Sequence, residues 1–523
     1  MNFIRYHLAI CMLMLVIGCQ NQSTDIQTTE PADGTASKDR NMFGHSIPRG
    51  LTINEENLTP GYVMYAVPNS PFINLINRKG EVIHQWKSNY GTMHSYLLDD
   101  GSTIVCANDP DFPTFGEGGP YGRIQKITWD GKMLWDYEYA TEDQIVHHDI
   151  AILPNGNILA IAYEVKSFDA AVARGRKAEL TVADGPWLEK IIEIEPQGKQ
   201  GGNIVWEWHL WDHLIQDLDP AKENYGSVKD HPELLDFNLG HELSPPISED
   251  SLDILKKNGN AERNTTVGNR GSGIFHFNAI NYNADLDQIA LSSPSMNEIY
   301  VIDHSTTSEE AASHRGGRSG KGGDFLYRWG NPQNYQRGDS TDQQLFGQHD
   351  VRWIEKGKPG AGHLTVYNNH LPMGPDSMEY SAIYEIVPDM DESGNYRLAD
   401  GQPFGPEGPI WTYIASDTIS FYSSFISGVH RMANGNTFIT EGARGRFFEV
   451  TPEGEIVWEY LNPFRGNILK PNGDSINPMF MTFSAFRSTF IPENHPAFQG
   501  KDLKPMDEQP EAYVESPPVQ ENN

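Results

Sequence analysis

The sequence predicts an all-β fold, a six-bladed β-propeller with irregular insertions. One observation behind this is a repeated pattern, in which a turn glycine precedes a hydrophobic run that carries aromatic residues. Six segments show it: Gly80–Trp86, Gly131–Tyr137, Gly202–Trp208, Gly323–Trp329, Gly408–Tyr413 and Gly454–Tyr460. The other observation is that helical periodicity is scarce between these copies. Because each blade of a propeller buries its faces against its neighbours, repeated strand-rich units favour that architecture. A β-sandwich or a β-barrel is the alternative.

The N-terminus resembles a bacterial lipoprotein signal peptide at residues 1–18. Its apolar run, Leu8–Ile17, is shorter than the roughly 20 residues that a membrane-spanning helix needs. Cys19 follows a small residue, as in a lipobox, and is the predicted site of lipidation. A plain secretory signal with a chance cysteine is the alternative. Because Gln20 is not an aspartate, we expect a lipid anchor on the periplasmic face of the outer membrane, in the cell envelope of a bacterium.

Three further regions follow the signal peptide. Residues 19–45 are polar and predict a flexible tether. Residues 46–495 contain the repeats and are the predicted propeller domain, whose best helical candidates, Trp211–Leu218 and Pro232–Asn238, fall in one apparent insertion. Residues 496–523 are rich in Pro, Glu and Gln and predict a disordered tail.

Charge and cysteine content limit the possible partners and bonds. The chain has 39 Lys and Arg against 71 Asp and Glu, a net charge of −32, which repels phosphate backbones and anionic membrane surfaces. We therefore expect no nucleic-acid partner, and membrane association through the lipid anchor only. The glycine-rich segment Gly316–Gly323 lacks the Ser or Thr that a phosphate-binding loop needs after its lysine, and it predicts a surface loop. Besides Cys19, only Cys106 would remain after signal cleavage, so no intramolecular disulfide is expected.

A second repeated feature is a histidine near the start of the strand that follows an aromatic copy. The positions are His94, His148, His276, His349 and His430, with Arg487 near the sixth place. In a propeller one strand of each blade lines the central channel, so equivalent positions converge there. We predict that these five histidines share one repeat position and form a site in the channel. Two alternatives remain open. The histidines could bond only within their own blades, or they could bind zinc, although no HExxH or paired CxxC spacing occurs.

Three pairs of segments carry a resemblance to a known family. They are Phe275–Ile280 with Val301–His304, Phe346–Asp350 with Val366–Asn369, and Gly428–Arg431 with Gly435–Thr437. From about residue 60 to about residue 490, the chain resembles the bacterial aryl sulfotransferases. The resemblance implies a six-bladed periplasmic propeller, a transferase that moves a sulfuryl group from an aryl sulfate ester to a phenolic acceptor through a sulfated histidine. It implies no nucleotide sulfate donor, and no cofactor or metal is expected.

The resemblance also implies roles for four of the histidines. His430 resembles the family's nucleophile. His276 and His349 resemble the partners that bind the sulfuryl oxygens and exchange a proton with the phenol. His148 is predicted to be a substrate-binding neighbour in the channel.

One departure from the family concerns a positive charge. The arginine expected between the positions that match His349 and His430 is absent, since no arginine follows the segment containing Asn369 until Arg397. We predict that Asn369 contacts the substrate there. Another blade is then expected to supply the positive charge, through one of Arg487, Arg444 and Arg446. A substrate that is not a typical aryl sulfate is the alternative. A non-catalytic ligand-binding β-propeller lipoprotein and, third, a quinone-dependent redox propeller are the competing functions.

Overall fold

The computed structural model describes residues 47–512 with several short gaps. The gaps are residues 57, 110–111, 113, 117, 241–246, 258–260, 262–263, 374–377, 392–393 and 466–482. The predicted signal peptide (1–18), the lipidation site Cys19 and the tether (19–45) lie outside the described residues. Within the described ranges, no helix combines the length with the hydrophobicity needed to cross a lipid bilayer.

β-strands dominate the structure, and the all-β class predicted from the sequence is confirmed. In chain order the strands are β1 Gly50–Asn54, β2 Gly61–Ala66, β3 Ser70–Asn77, β4 Val82–Leu97, β5 Thr103–Asn108, β6 Gly122–Ile127, β7 Met133–Glu138, β8 Gln144–Ile152, β9 Ile158–Val165, β10 Trp187–Gln197, β11 Gly201–His209, β12 Leu214–Ile215, β13 Leu235–Asp236, β14 Ala279–Asn283, β15 Gln288–Ser293, β16 Glu298–Asp303, β17 Tyr327–Trp329, β18 His349–Trp353, β19 Leu364–Pro372, β20 Glu379–Ile386, β21 Trp411–Tyr413, β22 Ser427–Arg431, β23 Thr437–Glu441, β24 Arg446–Val450, β25 Ile456–Leu461 and β26 Ser488–Pro492.

Helices are short and lie between strands. The α-helices of the described residues are α1 Phe168–Ala173, α2 Glu249–Lys257 and α3 Ser308–Ala311. Single 3-10 turns occur at Ala178–Leu180, Leu210–His213, Val228–Asp230, Pro332–Tyr335, Gly442–Arg444 and Pro496–Phe498.

Antiparallel groups of four consecutive strands recur along the described chain. The sheets β8 to β11, β14 to β17 and β18 to β21 each have this form, and the sheet β22 to β25 carries β1 as an extra strand on its outer edge. The seven-stranded sheet, ordered β26-β2-β3-β4-β5-β6-β7, contains two further four-stranded groups: β4 to β7, and β2 to β4 completed by the C-terminal strand β26. The long strand β4 belongs to both, because its first half pairs with β3 and its second half with β5. A series of four-stranded groups in chain order is a propeller-like arrangement.

The aromatic pattern found in the sequence lies in the fourth strand of each group, and its side chains join one group to the next. A buried indole N–H needs an acceptor, which here is a backbone carbonyl in the turn before the fourth strand of the following group. The donor and acceptor pairs are Trp135 to Gly201 (2.7 Å), Trp208 to Gly323 (2.7 Å), Trp329 to Pro406 (2.8 Å), Trp411 to Pro452 (2.8 Å) and Trp458 to Arg78 (2.8 Å). In β4 the imidazole of His84 makes the corresponding bond to Trp129 O, at 2.9 Å. We call these contacts the aromatic joints.

The apolar core lies between neighbouring groups. Leu159 of β9 and Leu291 of β15 belong to one buried cluster, and Val301 of β16 and Val366 of β19 belong to the next. Burial of an aliphatic side chain of this size stabilises a fold by about 1.5–3 kcal/mol, so each interface of this kind holds two groups face to face. The first strands also meet, with β8 against β14, β14 against β18 and β18 against β22.

Two predictions of local structure are wrong. The segments Trp211–Leu218 and Pro232–Asn238 are not α-helices; they contain the short strands β12 and β13, which pair in parallel. Residues 496–512 of the predicted disordered tail pack on the propeller. Phe498 is buried edge-on against Tyr62, with 4.9 Å between ring centroids, and the Gln509 amide pairs with both backbone groups of Val82, at 2.7 and 2.8 Å. A polar composition concealed these few anchoring side chains. Residues beyond 512 lie outside the described residues.

Candidate functional site

Three of the predicted histidines come together where first strands begin. His148 lies in β8, His349 begins β18, and His276 precedes β14. The rings of His148 and His276 are in contact, with 4.4 Å between their centroids. Burial lowers the pKa of His148 and that of His349, and the nearby ring of His276 lowers both pKa values further. We call His148, His276 and His349 the histidine cluster.

Backbone irregularities direct these side chains. The pairing of β8 with β9 shifts register between Val146 and Ile150, and that of β18 with β19 shifts between His349 and Arg352. His148 and the residue His276 have positive φ angles, 53° and 50°, which are uncommon outside glycine. A bulge re-aims a side chain relative to the simple alternation of a strand. The cluster therefore depends on bulged or left-handed backbone at the ends of strands.

His349 has one ring nitrogen bonded and the other open. Its Nδ1 lies 2.9 Å from Asn369 Oδ1 and 3.1 Å from the carbonyl of Gly347, and both oxygens accept hydrogen bonds. The Asn369 amide is itself fixed, because its nitrogen donates to Ser423 O at 3.0 Å. Nδ1 must therefore carry the proton, and Nε2 has a lone pair with no hydrogen-bond partner among the described residues. Burial lowers the pKa of His349 to about 3, so the ring is neutral near pH 7.

His276 is held by a tyrosine. Its Nδ1 lies 3.3 Å from the hydroxyl of Tyr163. The Tyr163 ring is completely buried and stacks on His147, with 3.6 Å between centroids. Burial lowers the pKa of His276 to about 4, so this ring is also neutral near pH 7. When the tyrosine hydroxyl donates to Nδ1, the proton of His276 sits on Nε2.

His148 is enclosed by a loop that comes close because of a glycine. The backbone N–H of His148 donates to Gly119 O at 2.9 Å. A side chain at Gly119 would place its Cβ 2.0 Å from the imidazole of His148, so only glycine allows this approach. On the other side, Nδ1 of His148 lies 2.7 Å from Nδ1 of His147, and one of these nitrogens donates to the other.

Arg487 bridges four first strands beside the cluster. It contacts Asp149 at 3.0 Å, Asp350 at 3.1 Å and the carbonyls of Asn278 and Ser427 at 2.9 and 2.7 Å. Burial by itself would raise the pKa of Asp149, but the positive charge of Arg487 brings it well below its usual range. The arginine side chain is only 5% exposed. Arg487 is thus a cation next to the histidines, and its own hydrogen bonds are largely made to other residues of the protein.

A family model decides what this site belongs to. The model described as Arylsulfotransferase (ASST) matches residues 57–462, most of the chain. The chain belongs to the arylsulfotransferase family. The resemblance inferred from the sequence motifs is therefore confirmed. Membership supports arylsulfotransferase activity in the broad sense and, with it, small aryl molecules as substrates. Among curated proteins, no sequence matches this chain.

Solved structures of similar shape have low sequence identity. A protein of unknown function from Bacteroides caccae has 11% identity and a TM-score of 0.40, over 83% of this chain and 100% of its own. Virginiamycin B lyase from Staphylococcus aureus has 12% identity and a TM-score of 0.31, over 80% of this chain and 90% of its own. The Cps50 (Swd1) β-propeller domain of Myceliophteria thermophila has 9% identity and a TM-score of 0.35, over 79% and 89%.

In this arylsulfotransferase, the five histidines do not share one repeat position, and that prediction is wrong. The last residue pair of the hairpin formed by β22 and β23 is Arg431 with Thr437. His430 belongs to the pair before it, with Phe438. In β18 the residue of the last pair but one is Arg352, which lies three residues beyond His349. The Nε2 of His430 accepts from Phe490 N at 3.2 Å. His430 therefore lies further along its strand than the histidine cluster and is not among the residues that the structure brings together there.

The predicted substrate-binding residues have protein partners instead. Asn369 is fully buried behind His349, which it orients. Arg444 and Arg446 both bind the buried carboxylate of Glu441, at 3.0 and 2.9 Å. Arg446 also binds Glu459, at 2.5 Å, so two carboxylates compensate the two guanidinium charges, and neither arginine stands ready to neutralise a sulfate.

Several residues at the site were missed from the sequence. Asp149 and Asp350, which each follow a cluster histidine, bind Arg487, and Tyr96 donates to Asp149 at 2.6 Å. The predicted His94 contacts this layer too, 3.2 Å from Asp149 and 2.9 Å from the carbonyl of His148. The repeated His-Asp pair was visible in the sequence and was the signal that could have found these aspartates.

Proposed function

We propose that this arylsulfotransferase moves a sulfuryl group from an aryl sulfate ester to a phenolic acceptor through a sulfohistidine, with His349 as the nucleophile. The observation that carries the proposal is the bonding of one imidazole. Nδ1–H of His349 donates to Asn369 and Gly347, while Nε2 keeps an open lone pair. The pKa of about 3 keeps this ring neutral, and a neutral imidazole with a fixed lone pair is a nucleophile at neutral pH.

In the first half-reaction, Nε2 of His349 attacks the sulfur of the donor. An N–S bond forms and the S–O bond to the aryl group breaks. When the Tyr163 hydroxyl donates to Nδ1 of His276, the Nε2–H of that ring donates a hydrogen bond to the departing phenolate oxygen, which leaves as an anion and takes its proton from solvent. The product is a free phenol and a sulfated His349. His148, in ring contact with His276, is the proposed contact for the sulfuryl oxygens.

In the second half-reaction, the acceptor phenol takes the place of the first product. Its hydroxyl proton goes to solvent, its phenolate oxygen, bound by the same Nε2–H of His276, attacks the sulfur, and the N–S bond to His349 breaks. His349 returns to its starting neutral state, and His276 stays neutral throughout. No nucleotide takes part, because an aryl sulfate ester supplies the sulfuryl group that the acceptor phenol receives.

We also infer that the propeller has six blades and that the protein is a lipoprotein of the bacterial outer membrane. The blade number is supported by the aromatic joints, which connect successive four-stranded groups until Trp458 of β25 reaches Arg78 before β4.

Lipidation at Cys19 is supported by the lipobox in the sequence. Mass spectrometry of the mature N-terminus tests it, and an unlipidated wild-type protein recovered from the medium would refute it.

Turnover of p-nitrophenyl sulfate tests the proposed reaction. Wild-type protein should release nitrophenol only when phenol is present, and donor alone should leave a sulfuryl adduct on a peptide containing His349. His349→Ala should lose the adduct and lower turnover by on the order of 10⁴-fold or more. His430→Ala is the matched control, because His430 lies in an equivalent first strand but outside the cluster; it should retain turnover within about threefold.

Two outcomes would contradict the proposal in different ways. An adduct on His430, with an inactive His430→Ala variant, would leave the reaction class intact and move the nucleophile to the position first expected from the sequence. No turnover with several aryl sulfate donors, together with binding of those donors, would instead support a non-catalytic ligand-binding propeller.

A further inference from the structure

Three potential metal ligands come together on the outer part of the fold, away from the histidine cluster. His213 ends a 3-10 turn just after β11, and His314 and Asp324 flank the glycine-rich segment between α3 and β17. Nδ1 of His213 lies 2.8 Å from Asp324 Oδ1, and Nδ1 of His314 lies 2.7 Å from the same oxygen. The ligand atoms of the three residues all lie within 4.8 Å of one another. None of the three belongs to a first strand.

The hydrogen bonds of a neutral His213 ring leave its Nδ1 facing a carboxylate oxygen of Asp324 with no proton between them. Its Nε2 lies 2.8 Å from the carbonyl of Ala311, and a carbonyl can only accept, so Nε2 carries the proton. A neutral ring then directs the lone pair of Nδ1 at a carboxylate oxygen 2.8 Å away. Two lone pairs at that distance repel each other unless a cation lies between them. That cation is either a proton, held by the ring or by the carboxyl group, or a metal ion.

The surroundings favour a metal ion. His213 is fully buried, and its Nε2–H bond to Ala311 is the outer contact that usually orients a metal-binding imidazole. Trp208 stacks parallel to the ring, with 5.4 Å between centroids. Gly323 closes the other side, since a Cβ there would lie 2.6 Å from Nε2 of His213. The ring is thus fixed on all sides while Nδ1 points at the other two ligands.

An open position is available as well. The His314 side chain is 61% exposed. Together with Asp324 it borders a cavity of about 680 Å³, whose wall also includes Arg174, Glu233 and Lys321. A site of two imidazoles and one carboxylate with a free coordination position suits Zn²⁺ and related transition metals, whereas Ca²⁺ and Mg²⁺ prefer oxygen ligands throughout.

We propose that His213, His314 and Asp324 bind one divalent transition-metal ion of the zinc type, with a water or a small anion from the cavity as the remaining ligand. The ion would fix the glycine-rich loop, residues 316–323, to the turn after β11. The aromatic joint from Trp208 to Gly323 lies in the same place, so the metal would strengthen the connection between these two sheets. This site goes beyond the proposed sulfuryl transfer and does not depend on it.

Metal titration of tag-free, metal-stripped full-length protein tests the proposal. Calorimetry should give one equivalent of bound Zn²⁺, Co²⁺ should give the visible absorption of a low-symmetry site with nitrogen ligands, and Ca²⁺ and Mg²⁺ should not bind there. Because binding to the folded state stabilises it, Zn²⁺ should raise the Tm of the protein.

The variants decide whether these residues are the ligands. His314→Ala and Asp324→Asn should weaken Zn²⁺ binding by about 100-fold or more and remove the rise in Tm. His231→Ala is the matched control, because His231 borders the same cavity, is 49% exposed and contacts a single carboxylate, that of Glu233; it should bind Zn²⁺ like wild type. Zn²⁺ binding that is absent from wild type, or undiminished in both ligand variants, would overturn the proposal whatever the result of the sulfate assay.

Discussion

Histidines in two regions of this arylsulfotransferase differ in the hydrogen-bond acceptors that face them. In the histidine cluster, His349 donates to the neutral amide of Asn369, and burial lowers its pKa to about 3. On the outer strand β11, His209 lies 3.2 Å from Glu164 and 3.5 Å from Glu207. Burial alone would lower the pKa of His209, but these carboxylates raise it to about 9. The same side chain is therefore a neutral base in one region and a cation in the other, because the partners differ in charge.

The cluster stays neutral although aspartates lie next to it. Asp149 and Asp350 directly follow His148 and His349 in the chain, but both are bound to Arg487. Arg487 thereby takes up the negative charge that would otherwise act on the imidazoles. Arg487 thus allows carboxylates to brace the first strands while the histidines stay neutral.

Removal of that arginine should have the largest effect. Arg487→Gln leaves the buried carboxylate of Asp149 without its arginine, while Asp350 keeps its contact with Arg352 at 2.8 Å. Loss of one partner of a buried ion pair typically costs about 3–5 kcal/mol of folding free energy. Urea denaturation should show this loss, and turnover should fall as the pKa values of the cluster histidines rise. Arg397→Gln is the control, since its pair with Asp389 is exposed and should contribute no more than about 1 kcal/mol. Equal stability of the two variants would mean that Arg487 does not hold the first strands together.

A carboxylate placed beside His349 should convert it into the outer type of histidine. In Asn369→Asp the acceptor of Nδ1–H becomes anionic, which raises the pKa of His349 and protonates Nε2. With the pKa of about 9 that the outer type of histidine has, only about a hundredth of the rings is neutral at pH 7, so turnover at pH 7 should fall by up to about 100-fold and recover as the pH increases.

The neighbouring asparagine provides the control for this change. Asn368 is also fully buried, but its amide contacts Phe346 N and Gln344 O rather than a histidine. Asn368→Asp should therefore lower stability without moving the pH profile of turnover. A loss of activity in Asn369→Asp with an unchanged pH profile would indicate that Asn369 supports the site only by packing.

The smallest effect is expected at the outer histidine. The folded-state pKa of His209, about 9, lies above the unfolded value of about 6.5, so its contribution to stability is complete below pH 6.5 and disappears as the pH passes 9. Wild type should exceed His209→Gln in unfolding free energy by about 1–2 kcal/mol at pH 6, after allowance for partial exposure of the pair. That difference should vanish near pH 10. A constant difference across this range would show that the contribution of His209 is not electrostatic.

The sequence predicted the repeating strands well and the site less well, for a physical reason. Turn glycines and aromatic runs are local signals, and the segments that contain Trp135 and Trp458 form the strands expected of them. The position of a side chain in the site depends on register. His349 lies three residues before the place in β18 that His430 has in β22, and a bulge between His349 and Arg352 changes its register as well, although the two histidines look equivalent in the sequence. Bulges of this kind have no clear residue pattern.

Contacts between segments that lie far apart in the chain could not be predicted from the sequence either. Arg487 was expected near the site, yet its bonds to Asp149 and Asp350 span more than a hundred residues and could not be read from spacing. The same is true of His213 and Asp324, which no metal-binding motif connects. The tail was misjudged because one aromatic residue, Phe498, is enough to anchor a segment whose composition is otherwise typical of disorder.

The aromatic joints have a consequence for divergence within the family. Each joint ties a fourth strand to the turn that precedes the next fourth strand, as Trp329 does with Pro406. Loops that lead into first strands take no part in these bonds, and the long connection between β11 and β14 shows how much chain one such loop can hold. Insertions, deletions and substitutions can therefore accumulate in the loops that lead into first strands while the spacing of the sheets is inherited unchanged. Acceptor preference can drift in this scaffold without a new fold having to evolve.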